Sequence, residues 1–326
     1  MKIGLFTALF GDKPLTEVLD IVQSLGIGAV EIGAGAYPGS PHLDVEKLLQ
    51  SKEARDQLHA ELARRGLVLS AISVHGNPLH PVKSIAVDHH NAFRRGVELA
   101  HALGIERVNG FSGCPGDNPD AKNPNWVTCA WPDEFRDILA YQWSVALPYW
   151  QEQADFLESK NVNFGIEMHP GFLAYNNESL LTLRNGAGKN GHRIGANFDP
   201  SHLWWQGIDP LAAVRQLGRE GALFHVHAKD TRIDPETARI NGNLDTKSYG
   251  DIAGRSWVFR SVGYGHPVEW WKDFVSVLRT VGYDFVLSIE HEDGLMTSTE
   301  GLSKAVEVLK QAVIAEEAGP MFWARD

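Results

Sequence analysis

Four apolar runs of this chain each close on a residue that can bind a metal ion or move a proton. They are Glu167 in FGIEMHPG, Asp199 in GANFDPSH, His227 in LFHVHAKD and Glu290 in FVLSIEHED. Read as strands, these runs alternate between two faces. Phe164, Ile166 and Met168 oppose Gly165, Glu167 and His169, and Ala196 and Phe198 oppose Asn197 and Asp199. In the third run Phe224, Val226 and Ala228 oppose His225, His227 and Lys229; in the fourth Leu287 and Ile289 oppose Ser288, Glu290 and Glu292. The successive spacings are 32, 28 and 63 residues, the last being one regular unit plus a long loop. Strands repeated at that interval bring the four groups to one height. Three carboxylates converging there would repel one another, and each is costly to bury as an isolated charge. A divalent cation removes both difficulties, and this oxygen and nitrogen set suits Mn2+, Mg2+, Co2+ or Zn2+. One divalent metal ion is the expected cofactor.

The elements that must position these groups are legible as alternating β and α segments. Strands are expected at 2–9, 29–33, 68–74, 107–111, 162–168, 193–199, 222–228 and 285–291, each followed by a helical pattern. Two such patterns are VEKLLQSKEARDQLHAELARRG after the second strand and STEGLSKAVEVLKQAVIAEE after the eighth. Several helices end on a glycine, as at Leu25-Gly26, Arg65-Gly66 and Leu103-Gly104, which fits a C-terminal cap. Strict alternation implies a parallel sheet, and eight units favour a closed barrel. The expected fold is α/β, a single-domain (β/α)8 TIM barrel over residues 1–326. No G-x-G-x-x-G follows the first strand, so the dinucleotide-binding fingerprint is absent. Two long connections, Ser112–Glu134 and Thr231–His266, fall at the C-terminal mouth, where barrel active sites are built. Their residues Trp126, Trp131 and Trp257 either wall a substrate pocket or pack the loops onto the barrel.

Bulk composition narrows the partners. The net charge of -11 argues against a phosphate-backbone binder, so no nucleic-acid partner is expected. No apolar run approaches a membrane span. The N-terminal MKIGLFTALFGDK reads as a first strand rather than a signal peptide, because it lacks a small-residue cleavage site and Asp12 follows at once. Cys114 and Cys129 are expected to be unpaired thiols in a reducing compartment, and the protein cytoplasmic.

The motifs GIEMHPG, NFDPSH, HVHAKD, VGYGH and SIEHED together resemble the xylose-isomerase-like TIM-barrel superfamily, also described as sugar phosphate isomerases/epimerases. The similarity spans essentially the whole chain. It implies Glu167, Asp199, His227 and Glu290 as metal ligands, with His169 and His202 lining the same site. His227 is preferred over His225 because the superfamily pattern places an Asp three residues later, here Asp230. His225 is then a deeper residue behind the ligands. The resemblance also implies carbohydrate metabolism: isomerisation or epimerisation of a keto sugar or related polyol, with a metal chelating the carbonyl and its neighbouring hydroxyl. Proton transfer would pass through an enediolate, Glu167 and Glu290 serving as the acid/base pair. His75, His169, His202, Lys229 and Glu31 are the candidates for substrate contact, although Lys229 would equally serve to balance charge. A lyase, an inosose-type dehydratase acting on a keto cyclitol, is the alternative reading. A non-catalytic sugar- or metal-binding barrel is a third. The endonuclease IV-like branch is disfavoured, because Ser256–Arg260 lacks the acidic residue and histidine its extra metals need. The expected partner is a small-molecule sugar or polyol, and homo-oligomerisation stays open.

Overall fold

The computed structural model describes residues 1–323. Eight strands form a closed parallel barrel: β1 (Lys2–Phe6), β2 (Ala29–Gly33), β3 (Val68–Ser73), β4 (Arg107–Gly110), β5 (Asn163–Glu167), β6 (Ile194–Phe198), β7 (Leu223–Ala228) and β10 (Val286–Ile289). Two further strands, β8 (Asp230–Ile233) and β9 (Trp257–Arg260), pair antiparallel outside the barrel. Each barrel strand matches an expected one, with ends trimmed by up to three residues. The first strand stops at Phe6 because Thr7–Phe10 turns into a short 3-10 helix.

Alternation sends every second side chain outward onto the surrounding helices. Phe164 on β5 is one such residue: it stacks on Trp150 of the helix Glu134–Lys160, with ring centroids 5.2 Å apart. Both are fully buried, a contact of the kind that contributes about 1.5–3 kcal/mol per large apolar side chain. The cap expected at Leu103-Gly104 is present, with Gly104 in the left-handed region (φ 69°) closing the helix Lys83–Leu103.

Two connections depart from expectation. The single helical pattern after β2 is broken into Val45–Gln50 and Lys52–Arg64, because Ser51 adopts an extended conformation and its hydroxyl caps Ala54 N–H at 3.1 Å. The long segment after β7 carries its own structure, the β8–β9 ribbon and a helix at Pro235–Asn241. Ser112–Asp133, after β4, is irregular as expected.

What ties the start of β8 to the loop after β9 is Asp230. Its buried carboxylate accepts from the backbone N–H groups of Thr231, Gly263, Gly265 and His266 at 2.8–3.1 Å, and from the His266 ring at 2.8 Å. A side chain at Gly265 would collide with the Thr231 backbone and with Asp230 itself. The VGYGH motif is therefore a clasp around one carboxylate.

Candidate metal centre

The inward faces of the strands stack polar layers up the barrel axis. In the lower layer His225 Nδ1 lies 3.0 Å from Asn197 Oδ1, and its Nε2 lies 3.2 Å from Ser70 Oγ. Above it Glu31 accepts from Asn109 Nδ2 (2.8 Å), Ser288 Oγ (2.7 Å) and the Ser73 hydroxyl. His227 Nε2 also sits on Glu31, 2.9 Å from Oε2. Uppermost come Glu167, Asp199, His75, His202, Lys229 and Glu290.

One ligand atom each from Glu167, Asp199, His227 and Glu290 lies within 4.8 Å of every other. The backbone explains the convergence. Glu167 is the last residue of β5, Asp199 and Glu290 directly follow β6 and β10, and His227 lies one residue before the end of β7. Asp199 spends Oδ1 on the backbone N–H of Ser201 at 2.8 Å, which turns Oδ2 into the cluster. The contacts within it are close: His227 Nδ1 is 3.0 Å from Glu290 Oε2 and 3.3 Å from Glu167 Oε2. His202 Nε2 lies 3.0 Å from Glu167 Oε1.

Two observations bear on whether these residues fit a cation. Asp199 Oδ2 is buried at 3.2 Å from Lys229 Nζ and 3.3 Å from His202 Nε2, yet is aligned for a hydrogen bond with neither. An orphaned buried carboxylate oxygen is a costly arrangement that a cation would relieve. The donor set is also apt, three carboxylates and one imidazole suiting hard or borderline divalent ions. The residues fit the group.

Electrostatics tell the same story. Burial alone would raise the Glu167 carboxyl, but its hydrogen bonds with His202 and His227 hold it well below the usual range. Burial raises Asp199 to about 7 despite the attraction of Lys229. Glu290 is also pushed up by burial, but Lys229 outweighs that and brings it to about 2. Burial opposes a charge on His227, yet Glu31 and Glu290 raise it well above the ordinary imidazole value. For Lys229 the burial penalty is overcome by Glu290, Glu292 and Asp199, with the two glutamates at 2.9 and 3.0 Å. His202 is pushed down to about 3, chiefly by burial. Without an ion, the raised proton affinities of His227 and Asp199, together with the Lys229 ammonium, offset the crowded carboxylates.

The other sequence-derived candidates fall in different places. Glu31 lies a layer below the mouth, wholly buried, with both oxygens occupied, so substrate cannot reach it directly. His75 does stand at the cluster, 2.9 Å from Glu167 Oε2 but out of hydrogen-bond alignment, so both of its buried ring nitrogens are unspent. His169 lines the mouth, with Nδ1 2.6 Å from Pro170 O and its ring 4.0 Å from that of His202. Lys229 is held by carboxylates on three sides. Of the tryptophans, Trp126 and Trp257 line a cavity at the mouth, whereas Trp131 points to solvent at 75% exposure.

Of the walls that β8–β9 supplies, the sequence pointed to Trp257 but not to Phe259 or Arg260. Phe259 lies under Lys229, 4.7 Å from ring centroid to Nζ, and Arg260 is pinned through Nε to Asp293 at 2.9 Å. The clasp role of Asp230 was also unseen, although both ends of it stood among the quoted motifs. Cys114 and Cys129 are free thiols, as expected. Among the described residues no helix is long and apolar enough to cross a membrane.

A Bacillus subtilis (strain 168) protein, YfiH, described as uncharacterized, is 39% identical over 96% of this chain and 99% of its own length. Among solved structures, the probable 3-DHS dehydratase AsbF of Bacillus anthracis superposes with a TM-score of 0.65 at 16% identity, covering 95% of this chain and 99% of that one. The IOLI protein, solved with a bound zinc atom, gives 0.62 at 17% identity, and a D-tagatose 3-epimerase-like protein 0.61 at 20%. Both cover 96% of this chain and 98% of theirs. The profile of the xylose isomerase-like TIM barrel matches residues 19–312, and the chain belongs to that family.

Proposed function

We propose that this protein is a divalent-metal-dependent isomerase or epimerase of a keto sugar or related polyol. The observation that carries the reading is the convergence of Glu167, Asp199, His227 and Glu290 ligand atoms within 4.8 Å. These four would hold the ion, and their mixed donor set admits Mn2+, Mg2+, Co2+ or Zn2+. When bound, the ion would supply Lewis-acid polarisation of a carbonyl and its neighbouring hydroxyl.

The chain's own residues have separable tasks. Glu167 and Glu290 are the acid/base pair: both are held ionised at neutral pH, so either can accept a proton. They enter from β5 and from the end of β10, separated around the barrel by β6 and β7. A proton can thus leave one face of a carbon and return to the other, which epimerisation requires. His202 steadies Glu167 through its Oε1 contact. His75 and His169 are assigned to substrate oxygens, because His75 has unspent ring nitrogens and His169 lines the mouth. Lys229 is assigned to charge balance, and Glu31 to the orientation of His227.

Incubating the Mn2+-loaded protein with candidate ketoses in D2O tests the proton transfer. Solvent deuterium is expected at the carbon next to the carbonyl. A substrate that turns over without it rules the mechanism out, and loss of water from the product would point to the dehydratase.

A further inference from the structure

Two cavities lie beside the candidate centre, each bounded by residues that touch the cluster rather than by the four ligands themselves. One, of about 380 Å3, is walled by Ile252, Val258, Phe259, Arg260, Glu292 and Leu295. The other, of about 190 Å3, is walled by Trp126, Trp205, Trp257 and Asp245. His169 and Tyr249 belong to both, and the Tyr249 ring lies along Phe259 at 5.8 Å and 19°, forming the partition. Both reach the same cluster: Glu292 of the first is paired with Lys229 at 3.0 Å, and His202 of the second contacts Glu167 at 3.0 Å.

Their walls differ in chemistry. In the first, Asp293 fixes Arg260 by Nε, while the Nη groups have no protein partner among the described residues. Arg260 and Glu292 thus form a polar edge, a donor and an acceptor for hydroxyl groups, on a wall otherwise made of the apolar Ile252, Val258, Phe259 and Leu295. The second is an aromatic box, with Trp205 and Trp257 stacked at 4.7 Å and 5°. The indole Nε1 groups of Trp126 and Trp205 are buried there without an acceptor. These nitrogens are closed off behind the rings, so the wall presents aromatic faces, which suit a second ring stacked against them.

Size separates the two roles. At about 30 Å3 per water-sized group the larger cavity takes roughly a dozen such groups, room for one sugar ring and its substituents. A free monosaccharide would leave the tryptophan box empty. We propose that the substrate is a glycoside: its keto sugar occupies the larger cavity against the metal centre, and a second, covalently joined ring stacks in the Trp126–Trp205–Trp257 box. This rests on the reading of the protein as a keto-sugar enzyme.

Calorimetric titration of the Mn2+-loaded full chain with methyl β-glucoside, phenyl β-glucoside and cellobiose, and with the corresponding galactosides, provides the test. At least tenfold tighter binding of a two-ring probe over its methyl counterpart is expected, in either series. A gain with the phenyl compound alone identifies an aromatic second ring, and a gain with the disaccharide alone a second sugar. Trp126→Ala and Trp257→Phe should each cut the preference to threefold or less. Equal binding across the set, no binding of any probe, or a preference that survives both variants overturns the proposal. Absent deuterium exchange with this preference intact would count against proton transfer and not against the two-ring site.

Discussion

His227 stands on Glu31: its Nε2 lies 2.9 Å from Glu31 Oε2, while the opposite ring nitrogen faces Glu290 at 3.0 Å. The carboxylate below thus fixes which imidazole nitrogen is left for a ligand above. Such a partner orients the ring and raises its basicity, and its loss typically costs about 10–100-fold in metal affinity. Glu31→Gln is expected to weaken Mn2+ or Zn2+ binding by that factor while the barrel stays folded. Competition against a chromophoric chelator measures it. Unchanged affinity in a folded variant would remove Glu31 from the site.

Direct ligands should matter more. Glu167→Gln and Asp199→Asn keep the shape of each side chain but remove a negative charge from the cluster. Both variants are expected to retain little metal after dialysis, as read by elemental analysis, and to lose turnover. Wild-type occupancy in both would mean that the ion sits elsewhere.

The arrangement was partly legible because strand alternation has a period of two. Once Phe164, Ile166 and Met168 are assigned to the helix side, Glu167 has only the barrel interior left, and the same argument places Asp199, His227 and Glu290. Height along the axis is a different matter. Strands in a barrel are tilted and staggered, so position within a strand does not give depth. Glu31 consequently looked like a substrate contact and lies a layer too low. The aromatic walls were legible only in part, Trp126 and Trp257 but not Phe259. Phe259 reaches the site only because β9 pairs with β8 across more than twenty residues, and no local pattern announces that pairing. The break at Ser51 is the opposite case, a cap visible in the residues but hidden by the helical periodicity around it.

Metal uptake should release protons. In the metal-free protein His227 has its proton affinity raised by Glu31 and Glu290, against the burial penalty, and burial lifts Asp199 to about 7. A ligand imidazole must be neutral and a ligand carboxylate ionised, so binding has to displace whatever protons these two carry. Because both values are raised, the protons are held at lower pH and released as pH rises. Apparent affinity should therefore climb from pH 6 through pH 8. Titrations at pH 7 in buffers of different ionisation enthalpy should show a buffer-dependent heat corresponding to net proton release. A heat that does not vary with buffer would contradict the displacement.

Asp230 offers a test of how the mouth is held open. Its carboxylate takes four backbone N–H groups and the His266 ring, joining the start of β8 to the loop after β9. Asp230→Ala strips these donors of their acceptor in a buried place, where each unsatisfied group costs about 1–3 kcal/mol. Water entering the vacated space would recover part of this, so a net loss of about 2–4 kcal/mol is expected. Denaturant unfolding monitored by tryptophan fluorescence measures the loss. The conservative Asp230→Asn keeps the shape and one acceptor oxygen but presents an amide to donors, and should fall between wild type and Ala. Substrate binding should suffer as well, because Phe259 and Arg260 reach the larger cavity only while β9 is held against β8. If Asp230→Ala unfolds like the wild type and keeps its substrate affinity, the clasp has no part in positioning that wall.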